Sequence, residues 1–101
     1  MSKSDPNLGA VGIAWYREAD YARLRAMFED GDVLHDTWEE WLKTANDTVA
    51  VLERDEAIVE RVIIEPDEFL AWCTARGMPL NAKTRGTFAG EFVYRKYNKT
   101  T

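Results

Sequence analysis

The chain has 101 residues, of which 46% are hydrophobic and 31% are charged, and its formal net charge is −5. This length and composition predict one domain over residues 1–101 and exclude a chain that is disordered throughout. Because an acidic surface repels phosphates, the charge argues against nucleic acid as the main partner.

The first half of the chain predicts a strand followed by a helix. Residues 1–8 are polar, and we expect them to fray, as we do for residues 98–101. Gly12–Tyr16 has the composition of a short strand. Apolar residues then recur at helical spacing over 17–28, which predicts the first helix. The residues on its apolar face are Tyr21, Leu24 and Phe28.

The second predicted helix begins at a capping box. The hydroxyl of Thr37 is placed to accept a hydrogen bond from the backbone N–H of Glu40, and the Glu40 carboxylate is placed to reach back to Thr37. Apolar residues at helical spacing follow and predict a long amphipathic helix. They are Trp38, Trp41, Leu42, Ala45, Val49 and Leu52.

The second half of the chain predicts a strand and two more helices. Ala57–Glu65 carries β-branched residues on both faces, so this strand needs cover on both sides. Pro66 then opens a third helix over 67–76. Asn81 caps a fourth helix that ends near Tyr97.

These elements predict a helix-rich α+β fold in the order β-α-α-β-α-α, with four helices packed on a short two-stranded sheet. Two strands joined through two helices can pair in parallel with a right-handed crossover. The residues leave the direction of pairing open. Because an isolated two-stranded sheet is marginal, we expect the helices to supply most of the core.

Three stretches of the chain resemble short bacterial proteins of unassigned function. The resemblance covers residues 13–95 and includes no active-site motif, so it implies a bacterial source and nothing about chemistry. The matching residues are Trp15-Tyr16, Asp20-Tyr21, Leu24 and Phe28, then Thr37 and Glu40-Trp41-Leu42, then Pro66 through Cys73.

No group of residues in the sequence predicts catalysis or a cofactor. Structural zinc needs about four Cys or His ligands, and the chain has one of each, Cys73 and His35. No glycine-rich phosphate-binding motif is present. Cys73 falls on an apolar stripe, where a cysteine is usually inert, and His35 falls in a polar loop. We therefore predict no cofactor, no metal and no catalytic residue, and an enzyme ranks third among the functional hypotheses.

The sequence also predicts a cytoplasmic location. A single cysteine cannot form an internal disulfide, which fits a reducing compartment. The N-terminus lacks the pattern of a secretory signal. The longest apolar run, at residues 69–73, is far shorter than the roughly 20 residues that span a bilayer. We expect no association with membranes.

The leading functional hypothesis is a small protein-interaction or regulatory module, with an unknown protein or a second copy of the chain as its partner. Ala82, Gly86 and Gly90 form a smooth stripe at four-residue spacing in the fourth helix. An interior glycine costs a helix up to about 1 kcal/mol relative to alanine. The stripe indicates close approach by another backbone, and its alternatives are packing within the chain or plain tolerance.

The second hypothesis is binding of an anionic ligand or nucleic acid by the fourth helix. Residues 81–101 contain five basic residues and one acidic residue, whereas residues 1–80 contain 8 basic and 17 acidic ones. Docking of the basic helix on the acidic body would explain the same pattern without a ligand. The candidate ligand-binding residues are Lys83, Arg85, Arg95 and Lys96, with Tyr94 and Tyr97 between them for base stacking.

Overall fold

The computed structural model describes residues 10–98 of the chain. Within that range it contains four α-helices and one sheet of two parallel strands. The predicted fold class and element order are therefore confirmed. The elements are β1 (Ala10–Trp15), α1 (Glu18–Met27), a 3₁₀ turn (Gly31–Val33), α2 (Trp38–Arg54), β2 (Ile58–Ile63), α3 (Pro66–Arg76) and α4 (Ala82–Tyr97).

Most of the ends that we expected to fray lie outside the described residues, which exclude 1–9 and 99–101. Asn98 lies inside them and follows the last turn of α4. Its backbone N–H and its side-chain amide both donate to the carbonyl of Tyr94, at 2.9 and 3.0 Å. Asn98 is therefore tied to the end of the helix.

The long helix α2 begins as predicted. The hydroxyl of Thr37 accepts from the backbone N–H of Glu40 at 3.2 Å. Only this half of the capping box forms, since among the described residues the Glu40 carboxylate accepts no hydrogen bond from the backbone N–H of Thr37. α2 buries one face, which carries Trp41, Ala45 and Val49. No helix in the described part of the chain is long and apolar enough to cross a membrane.

The two strands pair in parallel, with Ala10 opposite Ile58 and Trp15 opposite Ile63. The rings of Trp15 and Trp41 are 5.1 Å apart, so α2 packs against one face of the sheet. α4 covers the other face, where Ala89 and Val93 contact Val62. β2 therefore has a helix on each side of the sheet, although Ile58 and Ile63 at its two ends remain 51% and 40% exposed.

A glycine allows α4 to lie close to β1. A Cβ atom at Gly12 would be 2.6 Å from the carbonyl oxygen of Ala89 and 2.7 Å from a methyl group of Val93. Atoms at these distances overlap, so any larger residue at this position would push α4 away from the sheet.

The main core lies between the sheet and the first three helices, with Leu24, Ile64 and Phe69 at 0% exposure. The Phe69 ring meets the rings of Phe28 and Phe88 edge to face, with centroids 5.9 and 5.4 Å away. Full burial of such an apolar side chain contributes about 1.5–3 kcal/mol. The helices thus supply most of the core, as the small sheet requires.

Candidate functional site

The small-residue stripe of α4 faces solvent. Ala82, Gly86 and Gly90 are exposed, and a Cβ atom built at Gly86 or at Gly90 meets no atom within 4 Å. α4 packs on the sheet with a different face, which carries Ala89 and Val93. Packing within the described part of the chain therefore does not explain the stripe.

We expect Gly86→Ala and Gly90→Ala each to raise the free energy of unfolding by about 0.5–1 kcal/mol, because alanine restricts the unfolded chain and has the space it needs here. Urea unfolding followed by circular dichroism measures the change. A loss of stability in either variant would show that the outer face of α4 contacts something that a methyl group disturbs.

Arg85 does not lie on the basic surface that the sequence predicts. It is only 6% exposed, and its guanidinium lies 2.9 Å from a carboxylate oxygen of Asp30 and 4.2 Å from the centre of the Phe28 ring. The second oxygen of Asp30 accepts from the backbone N–H of Ala82 at 3.1 Å. Arg85 therefore joins α4 to the loop after α1, and its charge is not available to an external anion.

Because of the ion pair between Arg85 and Asp30, we expect the stability of the protein to depend on pH in the acid range. The Arg85 guanidinium holds the pKa of Asp30 below its ordinary value of 3.8. The resulting stabilisation is complete above about pH 4 and is lost as the pH falls through the depressed pKa. We expect the free energy of unfolding to fall more steeply below about pH 4 in the wild type than in Asp30→Asn. Urea titrations at a series of pH values test this, and equal slopes would contradict it.

The other three cations of the predicted basic surface do not converge on one place. Arg95 pairs with Glu91 at 2.8 Å, and Lys96 pairs with Glu60 at 2.9 Å. Lys83 is exposed near the start of α4. It lies about 18 Å along the helix from Arg95, at 1.5 Å per residue. These positions do not form a shared anion pocket.

The strongest candidate site is a groove at the open side of the sheet, between β2, α3 and α4. Its volume is about 520 Å³. Apolar side chains form most of its wall, and charged residues form its rim. The lining residues are Val62, Ile63, Glu68, Trp72, Phe88, Glu91, Phe92, Arg95 and Lys96.

The groove lies where α4 leaves part of β2 uncovered. α4 approaches the sheet most closely at β1, where Gly12 lies against the backbone of Ala89. On the side of β2, Phe92 lines the groove and is 49% exposed. Ile63, in the last position of β2, is 40% exposed.

Trp72 is held in a defined orientation on the α3 side of the groove. Its ring meets the ring of Phe88 edge to face at 5.2 Å, and the guanidinium of Arg76 lies 4.3 Å from the centre of the Trp72 ring. The indole N–H donates to Glu91 at 3.4 Å. Glu91 also accepts from Arg76 and Arg95. This network places a rigid aromatic surface beside a charged rim.

The two residues that the sequence singled out for their chemistry lie apart from the groove. Cys73 is 1% exposed, and burial raises the pKa of its thiol, which disfavours the reactive thiolate. His35 is exposed, and its Nε2 atom lies 3.0 Å from the hydroxyl of Thr44. Among the described residues, no three His, Cys, Asp or Glu side chains gather to hold a metal ion.

Sequence reasoning did not find the groove. Phe92 falls on the apolar stripe of α4, and Trp72 falls on that of α3, and residues on such stripes usually point inward. The available signal was the number of predicted strands, because a sheet of only two strands leaves one edge of each strand without a neighbouring strand. Comparison with known proteins adds no relative, since no protein-family model, curated protein or solved structure matches the chain.

Proposed function

We propose that this protein is an interaction module that binds another protein in the groove between β2, α3 and α4. The observation that carries this proposal is that the half-exposed ring of Phe92 and the indole of Trp72 line one concave surface of about 520 Å³. Apolar side chains that share a groove are typical of binding sites, whereas single exposed ones are not.

The composition of the groove supports a protein partner. Protein interfaces place aromatic residues at a desolvated centre and charged residues at the rim, and their hot spots are rich in Trp and Arg. Here Trp72, Phe88 and Phe92 supply the aromatic lining of the groove. Arg95 and Lys96 also line the groove, and their side chains remain 69% and 52% exposed although each pairs with an acidic neighbour.

The proposed setting is the bacterial cytoplasm. The chain has one cysteine, Cys73, and the fold buries it as a free thiol. A domain that is built without disulfides suits a reducing compartment. A bacterial cytosolic extract is therefore the source of partners in the test.

The test compares two serine substitutions two residues apart in α4. Phe92 lines the groove, whereas Tyr94 is 63% exposed and lies outside it. Immobilised wild type, Phe92→Ser and Tyr94→Ser are incubated with the extract, and the retained proteins are quantified by mass spectrometry. We expect a protein that wild type and Tyr94→Ser retain equally and that Phe92→Ser retains at least about tenfold less, as for loss of a hot-spot aromatic.

Three other results are informative. Equal retention by all three forms contradicts the proposal. Light scattering that shows a dimer for wild type and a monomer for Phe92→Ser would identify a second copy of the chain as the partner. Nucleic acid that Phe92→Ser retains, but that is lost on charge reversal at Lys83 and Arg95, would favour the second hypothesis instead.

A further inference from the structure

The outer edge of β2 is the edge that faces away from β1. Ile64 donates its backbone N–H to the carbonyl of Trp15 at 2.9 Å, so Ile64 faces β1. Because successive residues direct their backbone groups to opposite edges of a strand, Val59, Arg61 and Ile63 direct theirs away from β1. Within the described part of the chain, no hydrogen bond reaches these outward groups. The edge is therefore a template for another strand.

The groove lies where side chains of a third strand would go. A strand added beside β2 would present every second side chain on the face that carries Val62. That face is the one covered by α4. Side chains on it would enter the groove beside Trp72 and Phe92, both of which line it.

We infer that the partner binds as an extended segment, which adds a third strand to β2 and places alternate apolar side chains in the groove. This inference rests on the proposed function and specifies the form of its partner. In such strand addition, hydrogen bonds to the main chain supply affinity, and pockets for alternate side chains supply specificity.

The positive charge of Arg61, at the outer edge of β2, indicates which kind of residue lies between two apolar residues of the partner segment. Arg61 is exposed, and its guanidinium lies 4.9 Å from the centre of the Trp15 ring, on the face opposite α4. No carboxylate lies within 4 Å of it among the described residues. Opposite charges on directly facing residues of neighbouring strands attract. The partner segment therefore carries an acidic residue opposite Arg61, between two apolar residues.

A second copy of β2 does not fit this edge. If two copies of β2 paired antiparallel about a two-fold axis, directly facing residues would have side chains on the same face of the sheet. This condition requires one residue of β2 to lie on the axis and to face the same residue of the other copy. The two registers that pair most of Ile58–Ile63 place either Glu60 or Arg61 on that axis. Like charges that face each other directly are destabilising. This charge arrangement favours a different protein as the occupant.

The test uses a phage-displayed library of random nine-residue peptides, selected against the full chain. We expect the enriched peptides to share an acidic residue between two apolar ones, and to lose binding to Phe92→Ser but not to Tyr94→Ser. Selection against Arg61→Glu is expected to replace the acidic residue by a basic one. Enrichment of apolar residues at three- and four-residue spacing would indicate a helical ligand and would overturn the inference.

Backbone methylation of one enriched peptide provides the decisive measurement. Alternate amides of an added strand face β2, so N-methylation of that set is expected to weaken binding at least about tenfold, whereas N-methylation of the other set leaves it nearly unchanged. In hydrogen exchange, the amides of Val59, Arg61 and Ile63 are expected to gain protection on binding. Equal effects of the two methylated sets would overturn the inference.

The failures of the two proposals are distinguishable. If neither the extract nor the library yields a ligand that depends on Phe92, the proposed function fails, and strand addition fails with it. If ligands depend on Phe92 but show no alternation in N-methylation and no new protection at Val59, Arg61 and Ile63, the groove is a binding site and strand addition alone is wrong.

Discussion

Asp30→Ala is expected to lower the free energy of unfolding by about 3–5 kcal/mol, because it leaves the guanidinium of Arg85 buried without a counter-ion. Arg85 is 6% exposed, whereas the side chain of Asp30 is 26% exposed, so we expect the loss to fall at the lower end of this range. The substitution also removes the acceptor for the backbone N–H of Ala82 in the first turn of α4. Urea unfolding followed by circular dichroism measures the loss.

Asp36→Ala is the matched control, since it also removes an aspartate that pairs with an arginine. Asp36 lies 3.0 Å from Arg25, but its side chain is 87% exposed. Exposed ion pairs contribute at most about 1 kcal/mol to stability, so the free energy of unfolding is expected to change little in the control. Similar losses in the two variants would contradict a special role for the buried pair. The double variant Asp30→Leu with Arg85→Met is expected to recover most of the stability, because it leaves no charge unpaired.

Gly12→Ala is expected to destabilise the protein by about 1–3 kcal/mol, the usual cost of inserting atoms into a packed interior. The new Cβ would lie 2.6 Å from the carbonyl oxygen of Ala89. That oxygen belongs to the backbone of α4 and cannot rotate away, so the whole helix must shift from the sheet. Thermal and urea unfolding measure the cost.

Gly86→Ala is the control, because it is expected to stabilise the protein whereas Gly12→Ala destabilises it. There the added methyl group meets no atom within 4 Å, and only the gain in helix propensity remains. A stable Gly12→Ala variant would mean that α4 does not lie against β1 as closely as the structure shows. Because α4 forms one wall of the groove, we also expect Gly12→Ala to weaken the binding of any ligand whose affinity depends on Phe92.

Local signals predicted the elements well. The cap at Thr37 and the apolar spacing of α2 act over three or four residues, so they can be read directly from the chain. β2 is shorter than expected, at Ile58–Ile63 rather than Ala57–Glu65. The reason is that a strand extends only as far as its partner, and β1 ends at Trp15.

The role of Arg85 was not predicted, although the spacing carried a signal. Arg85, Ala89 and Val93 are four residues apart and therefore lie on one face of α4, which proves to be the buried one. Charge composition placed Arg85 on the surface, because arginine is rarely buried. Its counter-ion, Asp30, is 55 residues away in the chain, and no local pattern joins the two.

The sequence by itself determined the order of elements and the helix starts, because hydrogen bonds and periodicity within a few residues produce these features. It also determined the uneven distribution of charge along the chain, which is counted directly from the residues. Only the tertiary structure decided the parallel pairing of the strands, the burial of Arg85 and the exposure of Phe92. Each of these depends on which distant segments meet. Phe92 is apolar on an apolar stripe, yet it is exposed because α4 packs on the sheet through a different face, which carries Ala89 and Val93.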